Sequence, residues 1–114
     1  MRLRTSVAAT VGALALVITL PASAGAAEGD FTYQHNDQAG IAQTSGLMDP
    51  QSRECITLPE VQDEQSAAAH SPRNNTDATA TVFEGADCEG LHFSLQPNGG
   101  QASEQLKVRS VVFS

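Results

Sequence analysis

The clearest pattern in this chain is a regular alternation of apolar and polar residues in its last third. Leu91, Phe93 and Leu95 are separated by single polar residues, which predicts a strand with one buried face. Near the end of the chain Val111 and Val112 are adjacent, which indicates a central strand buried on both faces, or a bulge. Turn residues separate the apolar segments, and no segment has the spacing of a long helix. We predict an all-β fold of about six short strands, at 31–33, 41–48, 55–58, 79–83, 91–95 and 108–113.

The start of the chain has a different pattern. Arg2 and Arg4 precede an uncharged, apolar run from residue 7 to residue 20, and Pro21 and several small residues follow. This is the order of a secretory signal peptide, and the run is shorter than the roughly 20 residues of a membrane span. We expect residues 1–26 to be a cleaved signal peptide and residues 27–114 to form a single secreted domain.

Removal of this segment makes the charge strongly negative. Six Lys and Arg less Arg2 and Arg4 leave four cations against thirteen Asp and Glu, so the net charge is 4 − 13 = −9. Phosphate backbones and anionic membranes are bound through Lys and Arg. We therefore expect neither nucleic acid nor membrane as a partner. We predict a monomer whose partner is an extracellular protein.

Two cysteines, Cys55 and Cys88, lie in the predicted domain. An even number of cysteines in an exported chain predicts a disulfide bond. The bond would close a loop of about 33 residues between these cysteines, and by restricting the unfolded chain it would contribute about 3–4 kcal/mol of stability. The alternative is a thiol pair for metal binding or redox chemistry, but no CxxC motif or Cys/His cluster supports it.

The segment from residue 59 to residue 77 is rich in Glu, Gln, Ser, Ala and Asn, and Pro72 ends any helical turn in it. We predict a long surface loop over 59–77.

An aromatic-to-glycine spacing occurs on the C-terminal side of this loop. Phe83 is followed seven residues later by Gly90, and Ser110 comes about twenty residues after that. The run from residue 74 to residue 114 resembles a Greek-key motif of the βγ-crystallin family, and more closely the small exported crystallin-like proteins of bacteria.

A second copy of the spacing lies earlier in the chain. Tyr33 and Gly40 are again seven residues apart, and Ser71 follows after a longer gap. The resemblance thus extends over about residues 31–114 and implies a compact Greek-key β-sandwich of two crystallin-like motifs. In each motif the aromatic residue opens a folded hairpin, the glycine takes a backbone conformation that side chains oppose, and the serine hydroxyl ties the hairpin down.

The resemblance also raises the question of calcium, which many members of the family bind through adjacent Asp or Asn residues ahead of the serine. Neither Ser110 nor Ser71 is preceded by such a pair, and Arg109 brings a positive charge. We predict no cofactor and no calcium site of the family type. Weak calcium binding by the acidic loops at Asp37, Asp87 and Glu89 stays open.

The chemistry of the remaining residues does not indicate an enzyme. His92 and Ser94 share a strand face, but no glycine-rich elbow or oxyanion signature accompanies them, while His35 and His70 fall in predicted loops. We predict a secreted, acidic, disulfide-stabilised binding protein on a crystallin-like scaffold. Because some related bacterial proteins inhibit proteases, the resemblance implies a protease-inhibitor role with the 59–77 loop as the contact. The alternatives are a structural or stress-related cell-surface protein and a small secreted toxin or antimicrobial.

Overall fold

A computed structural model of the protein describes residues 25–114. The predicted signal peptide lies outside the described residues except for its last two positions. Within residues 25–114, no helix is long and apolar enough to cross a membrane.

The described part of the chain is built from eight strands and two short 3-10 turns. The turns are Pro59–Val61 and Ala86–Cys88. The strands are β1 Gly29–Asn36, β2 Ala42–Met48, β3 Ile56–Thr57, β4 His70–Thr76, β5 Ala80–Phe83, β6 His92–Leu95, β7 Gly100–Gln101 and β8 Ser110–Phe113. The predicted all-β class is confirmed, and β4 and β7 are additional to the six predicted strands.

The strands form two antiparallel sheets of four strands each. The first sheet has the order β2-β1-β4-β7 and the second the order β3-β8-β5-β6. If β1–β4 are called the first half of the fold and β5–β8 the second, each sheet takes three strands from one half and one short strand from the other. This exchange means that neither half can complete its own sheet.

The core lies where the two sheets meet. Alternate residues of β1 are buried, and the ring of Phe31 packs edge-on against that of Phe113 of β8, with centroids 5.4 Å apart. Tyr33 packs beside Phe31 at 6.0 Å. Burial of each large apolar side chain contributes about 1.5–3 kcal/mol, so these contacts hold the sheets together. Smaller buried residues complete the core: Ala27, Leu58, Val61, Ala69, Ala80, Val82, Leu95, Val108 and Val111.

The prediction of a surface loop over 59–77 is wrong for its second half. Residues 70–76 form β4, which lies between β1 and β7 inside the first sheet. The polar Asn74 is fully buried there, because its side-chain amide donates to the carbonyl of Ala78 at 2.7 Å and its oxygen accepts from the Thr76 hydroxyl at 2.7 Å. Polar composition indicated exposure, but satisfied hydrogen bonds allow these residues to be buried.

The buried face predicted for residues 91–95 is also only partly correct. Phe93 lies opposite Val82 and Leu95 opposite Ala80, so the alternation was assigned to the right face. Leu95 is buried, but Leu91 is 74% exposed and Phe93 49% exposed. Phe93 is exposed because β6 is an edge strand of its sheet. Side chains at an edge have a neighbouring strand on one side only.

Candidate functional site

One surface loop, residues 61–66, is held by hydrogen bonds from a buried arginine, and we call it the clamped loop. Arg109, at the entry to β8, is 9% exposed. Its guanidinium donates to the main-chain carbonyls of Val61 and Asp63 at 2.9 Å each and of Glu64 at 3.3 Å, and also to that of Ser66. The rigid fork of an arginine can satisfy several acceptors at once. The backbone of the clamped loop is therefore fixed from beneath.

Local hydrogen bonds add to this order. The amides of Gln65 and Ser66 donate to the side chain and main chain of Asp63, both at 2.9 Å. Val61 is buried in the core and anchors the beginning of the loop, whereas the side chains of residues 62–66 are exposed. The loop combines a hydrogen-bonded backbone with exposed side chains, of which those of Gln62 and Gln65 lie beside, in the sequence, the engaged carboxylates of Asp63 and Glu64.

A partly buried polar network lies beside the beginning of the clamped loop. The Tyr33 hydroxyl donates to Glu60 at 2.7 Å, and His35 Nε2 lies 2.9 Å from the Ser45 hydroxyl. Burial, followed by the hydrogen bond to Glu60 and its charge, raises the pKa of Tyr33 well above its usual value. Partial burial acts to raise the pKa of Glu60, but the Tyr33 hydrogen bond and the contributions of His35 and Ser45 outweigh it and lower that pKa.

This network does not present the geometry of a hydrolase site. A nucleophilic serine needs a base that is oriented by a third group, and the carboxylate of Glu60 is bound by the Tyr33 hydroxyl. Ser45 lies within the ladder of β2, opposite Tyr33. The hydrogen bonds of the network join β1, β2 and the turn at residues 59–61. That the protein is not an enzyme stays a prediction.

Next to the clamped loop, three carboxylates line a cleft of about 330 Å³, which we call the acidic cleft. They belong to Glu64, Glu84 and Glu89, and the buried Arg109 also lines the cleft. Glu64 also accepts a hydrogen bond from the Ala86 amide at 3.0 Å, which connects the clamped loop to the turn at residues 86–88. The cleft is therefore bounded by two elements that are held in place.

A mainly apolar groove begins where the acidic cleft ends. It is formed by two adjoining hollows of about 280 and 250 Å³ that share Phe93 and Leu106. Leu91 lines one of them, and Glu84 lines both this hollow and the acidic cleft. We call this feature the apolar groove. Its other lining residues are Val82, His92, Ala102, Ser103, Gln105 and Lys107.

The residues singled out for the second motif come together at one corner. The Ser110 hydroxyl donates to the Gly85 carbonyl at 2.6 Å and accepts from the Cys88 amide at 2.8 Å. Gly90 has a φ of 89°, which favours glycine, and Phe83 lies opposite Ser110 in the ladder. The serine thus joins the folded segment 85–88 to β8.

Cys88 of that corner also forms the predicted disulfide bond. Its sulfur is joined to that of Cys55, with Cα atoms 5.9 Å apart and a sequence separation of 33. The disulfide prediction is confirmed. The bond joins the segment ahead of β3 to the turn that follows β5.

The residues of the first motif are arranged differently. Gly40 has a φ of 82° and Tyr33 is buried, but the hydroxyl of Ser71 lies 2.9 Å from Nδ1 of His70. The loop between β1 and β2 is held by Asp37, whose carboxylate accepts from the amides at positions 39 and 41, both at 2.9 Å. The two motifs therefore stabilise their hairpins by different means.

Calcium of the family type does not fit these residues. Ser110 is preceded by Arg109, whose guanidinium binds loop carbonyls, and the Asp37 carboxylate is engaged by its own hairpin. Asp87 lies 3.4 Å from the Thr57 hydroxyl. In the part of the chain that the structure describes, no three His, Cys, Asp or Glu side chains group closely enough to hold a metal ion.

The roles of Arg109, Glu60 and Asn74 were not predicted from the sequence. Arg109 carried a signal, because a charge within an apolar strand segment needs a buried partner. Glu60 carried none, since its partner Tyr33 is 27 residues away. The polar character of Asn74 indicated exposure, although its side chain is satisfied by Thr76, Ala78 and the distant Leu95.

Comparison with protein-family models, with curated proteins and with solved structures finds no match to this chain.

Proposed function

We propose that this protein is a secreted binding protein that recognises an extracellular protein through the clamped loop. The observation that carries the proposal is the set of hydrogen bonds from Arg109 to the carbonyls of residues 61–66, beneath side chains that are exposed. A loop held in one conformation loses little entropy on binding, so more of its contact energy appears as affinity. Secretion is supported by the signal-like N-terminus and by the disulfide bond, which persists in oxidising compartments.

We also propose that the scaffold is crystallin-like, with two Greek-key motifs. Three observations support this assignment: the exchange of one strand between the two halves, the serine hydroxyl that ties residues 85 and 88 to β8, and the positive φ of Gly40 and Gly90. The departure at Ser71 restricts the likeness of the first motif to its aromatic residue and its glycine.

Protease inhibition is the specific form of binding that we propose. An inhibitor must present a loop that keeps its shape in the protease cleft, and the clamped loop is braced by Arg109 and anchored by Val61. This contact is shorter than the 59–77 segment expected from sequence, since residues 70–76 lie inside a sheet.

The test compares loop variants with a matched control. Gln62→Arg and Gln65→Arg change exposed side chains and leave the carbonyls that bind Arg109 in place, and Gln51→Arg makes the same change at an exposed site away from the loop. We expect micromolar wild-type protein to slow at least one enzyme of a panel of secreted proteases. The loop variants should lose this effect and Gln51→Arg should keep it.

Two outcomes would count against the proposal. If no protease in the panel is slowed, protease inhibition is rejected as the form of binding. If inhibition occurs but survives both loop substitutions, the clamped loop is not the contact.

A further inference from the structure

We infer that the apolar groove is a docking site for an extended, basic segment of a partner protein that carries large apolar side chains. This inference rests on the proposed function, because it names the chemistry of the partner. It concerns a different surface from the clamped loop, and the two are joined by the acidic cleft.

The first step is the exposed apolar area. Phe93 is 49% exposed although its pairing opposite Val82 places it on the core side of the sheet, and Leu91, just before β6, is 74% exposed. Leu106 borders Phe93 in both hollows of the groove. Each hollow, at about 280 and 250 Å³, is smaller than the roughly 300–1,000 Å³ of typical small-molecule sites. The groove is therefore suited to single side chains of a partner.

The second step is the main chain beside the groove. Within residues 25–114, β6 pairs with β5 and with no other strand. Natural proteins usually protect an edge strand by shortness, Lys, Pro or a bulge, and β6 is short, at four residues, but has none of the other three. The sequence of β6 is His-Phe-Ser-Leu, and its register with β5 is regular. Such an edge can pair with an extended segment, whose alternate side chains would then face the groove.

The third step is charge. Glu84 lines both the groove and the acidic cleft, where Glu64 and Glu89 lie. Two cations line the same surfaces: Lys107 in the groove, and Arg109 in the cleft, whose guanidinium is already engaged by loop carbonyls. Residues 27–114 carry four Lys and Arg against thirteen Asp and Glu, a net charge of 4 − 13 = −9. A second copy of this chain would bring the same negative charge, and like charges across an interface oppose binding. A partner segment with Lys or Arg beside its apolar residues is complementary both to the apolar groove and to the negative charge next to it.

The test uses two synthetic peptides and four protein variants. One peptide alternates Lys with Phe and Leu, and the other has Glu in place of every Lys. Binding is measured by titration calorimetry, and the site is located by amide chemical-shift changes. The protein variants are Leu91→Ser, Leu91→Ser with Phe93→Ser, Glu84→Gln, and the control Met48→Ser. Met48 is 75% exposed at the edge of the other sheet.

We expect the basic peptide to bind with shift changes in β6 and at Leu106. Leu91→Ser should weaken binding about fivefold and the double variant about tenfold or more, which is about 1.4 kcal/mol or more. Met48→Ser should change binding less than about twofold. Glu84→Gln should weaken binding and reduce its salt dependence, because it removes one charge from the site. Leu91→Ser keeps the test valid if the double variant fails to fold.

Equal binding of the acidic peptide, or shift changes away from β6, would overturn the inference. So would a concentration-dependent dimer, detected by sedimentation, that buries Leu91 and Phe93. If neither peptide binds but the clamped loop still mediates protease inhibition, the inference fails and the proposed function stands. If the basic peptide binds at the groove and no protease is inhibited, the inference stands and protease inhibition is rejected.

Discussion

At the scale of single residues, Arg109 holds the backbone of the clamped loop. Its charge is buried at the entry to β8, where the dipoles of loop carbonyls stabilise it. Hydrogen bonds to a charged group contribute more than neutral ones, about 1.5–3 kcal/mol. Removal of the guanidinium would leave these carbonyls without a donor and the clamped loop without its brace.

We therefore expect Arg109→Met to lower the free energy of unfolding by about 2–3 kcal/mol. Arg109→Lys should recover only part of this, because a single ammonium cannot reach all of the carbonyls. Urea denaturation at pH 7 measures both. The control is Arg73→Met, an exposed arginine whose Nε donates to Asn75 at 3.2 Å, for which the change should stay within about 0.5 kcal/mol. Equal effects of Arg109→Met and Arg73→Met would contradict the account.

Asp37 should make the stability of the protein depend on pH. Hydrogen bonds from the Ile41 amide first, and also from Gln43 and the amides of residues 39 and 40, lower the pKa of its carboxyl below the usual value. A carboxyl with a lowered pKa in the folded state adds stability above its unfolded pKa of about 4. That stability is lost as the pH falls through the folded value.

Asp37→Asn keeps an oxygen acceptor and removes the charge, whereas Asp37→Ala removes both. We expect the alanine variant to be the less stable of the two at pH 7. The difference between wild type and Asp37→Asn should shrink toward zero as the pH falls to about 2. Urea denaturation at several pH values measures this, and a difference that grows with acidity would contradict the assignment.

At the scale of elements, the strands with apolar alternation were predictable and the polar strand was not. β1, β5 and β8 follow the local pattern, and β8 is the central strand that the adjacent valines indicated. β4 escaped prediction because its inward residues include Asn74 and Thr76, whose polar side chains indicated exposure. They are buried because they bond each other, the Ala78 carbonyl and the distant Leu95 carbonyl. Local sequence can indicate which face of β6 is apolar, but not that the strand lies at an edge.

The corner at residues 85–88 provides a prediction at this scale. Ser110→Ala removes the acceptor for the Cys88 amide and the donor to the Gly85 carbonyl. Unsatisfied buried groups cost about 1–3 kcal/mol, so we expect a loss of that size in thermal or urea unfolding. Ser94→Ala is the control, since its hydroxyl is exposed and lies 3.3 Å from that of Thr81. A Ser110→Ala protein as stable as the control would show that the corner holds without this hydroxyl.

At the scale of the whole molecule, the two halves of the described chain depend on each other. β3 completes the sheet of the second half and β7 completes that of the first. These exchanges depend on contacts between residues distant in sequence, so alternation and turn residues could not predict them. The candidate site was unpredictable for the same reason, because residues 61–66 lie 43–48 residues before Arg109 in the sequence.

The disulfide between Cys55 and Cys88 should stabilise this arrangement as a unit. Replacing both cysteines with serine is expected to lower the free energy of unfolding by about 3–4 kcal/mol, from the entropy of the loop that the bond closes. Because the halves share strands, unfolding should remain a single transition, coincident by near- and far-ultraviolet circular dichroism. Two separate transitions would indicate halves that fold alone and would contradict the exchanged topology.

The most direct test of the account is the rigidity of the clamped loop in solution, measured as backbone ¹⁵N order parameters of the oxidised wild-type protein. We expect residues 62–66 to have values of about 0.85, typical of a rigid backbone, and these values to fall in Arg109→Met. Order parameters below about 0.6 in the wild type would mean that the loop is flexible despite the arginine, and the proposed mode of binding would be wrong.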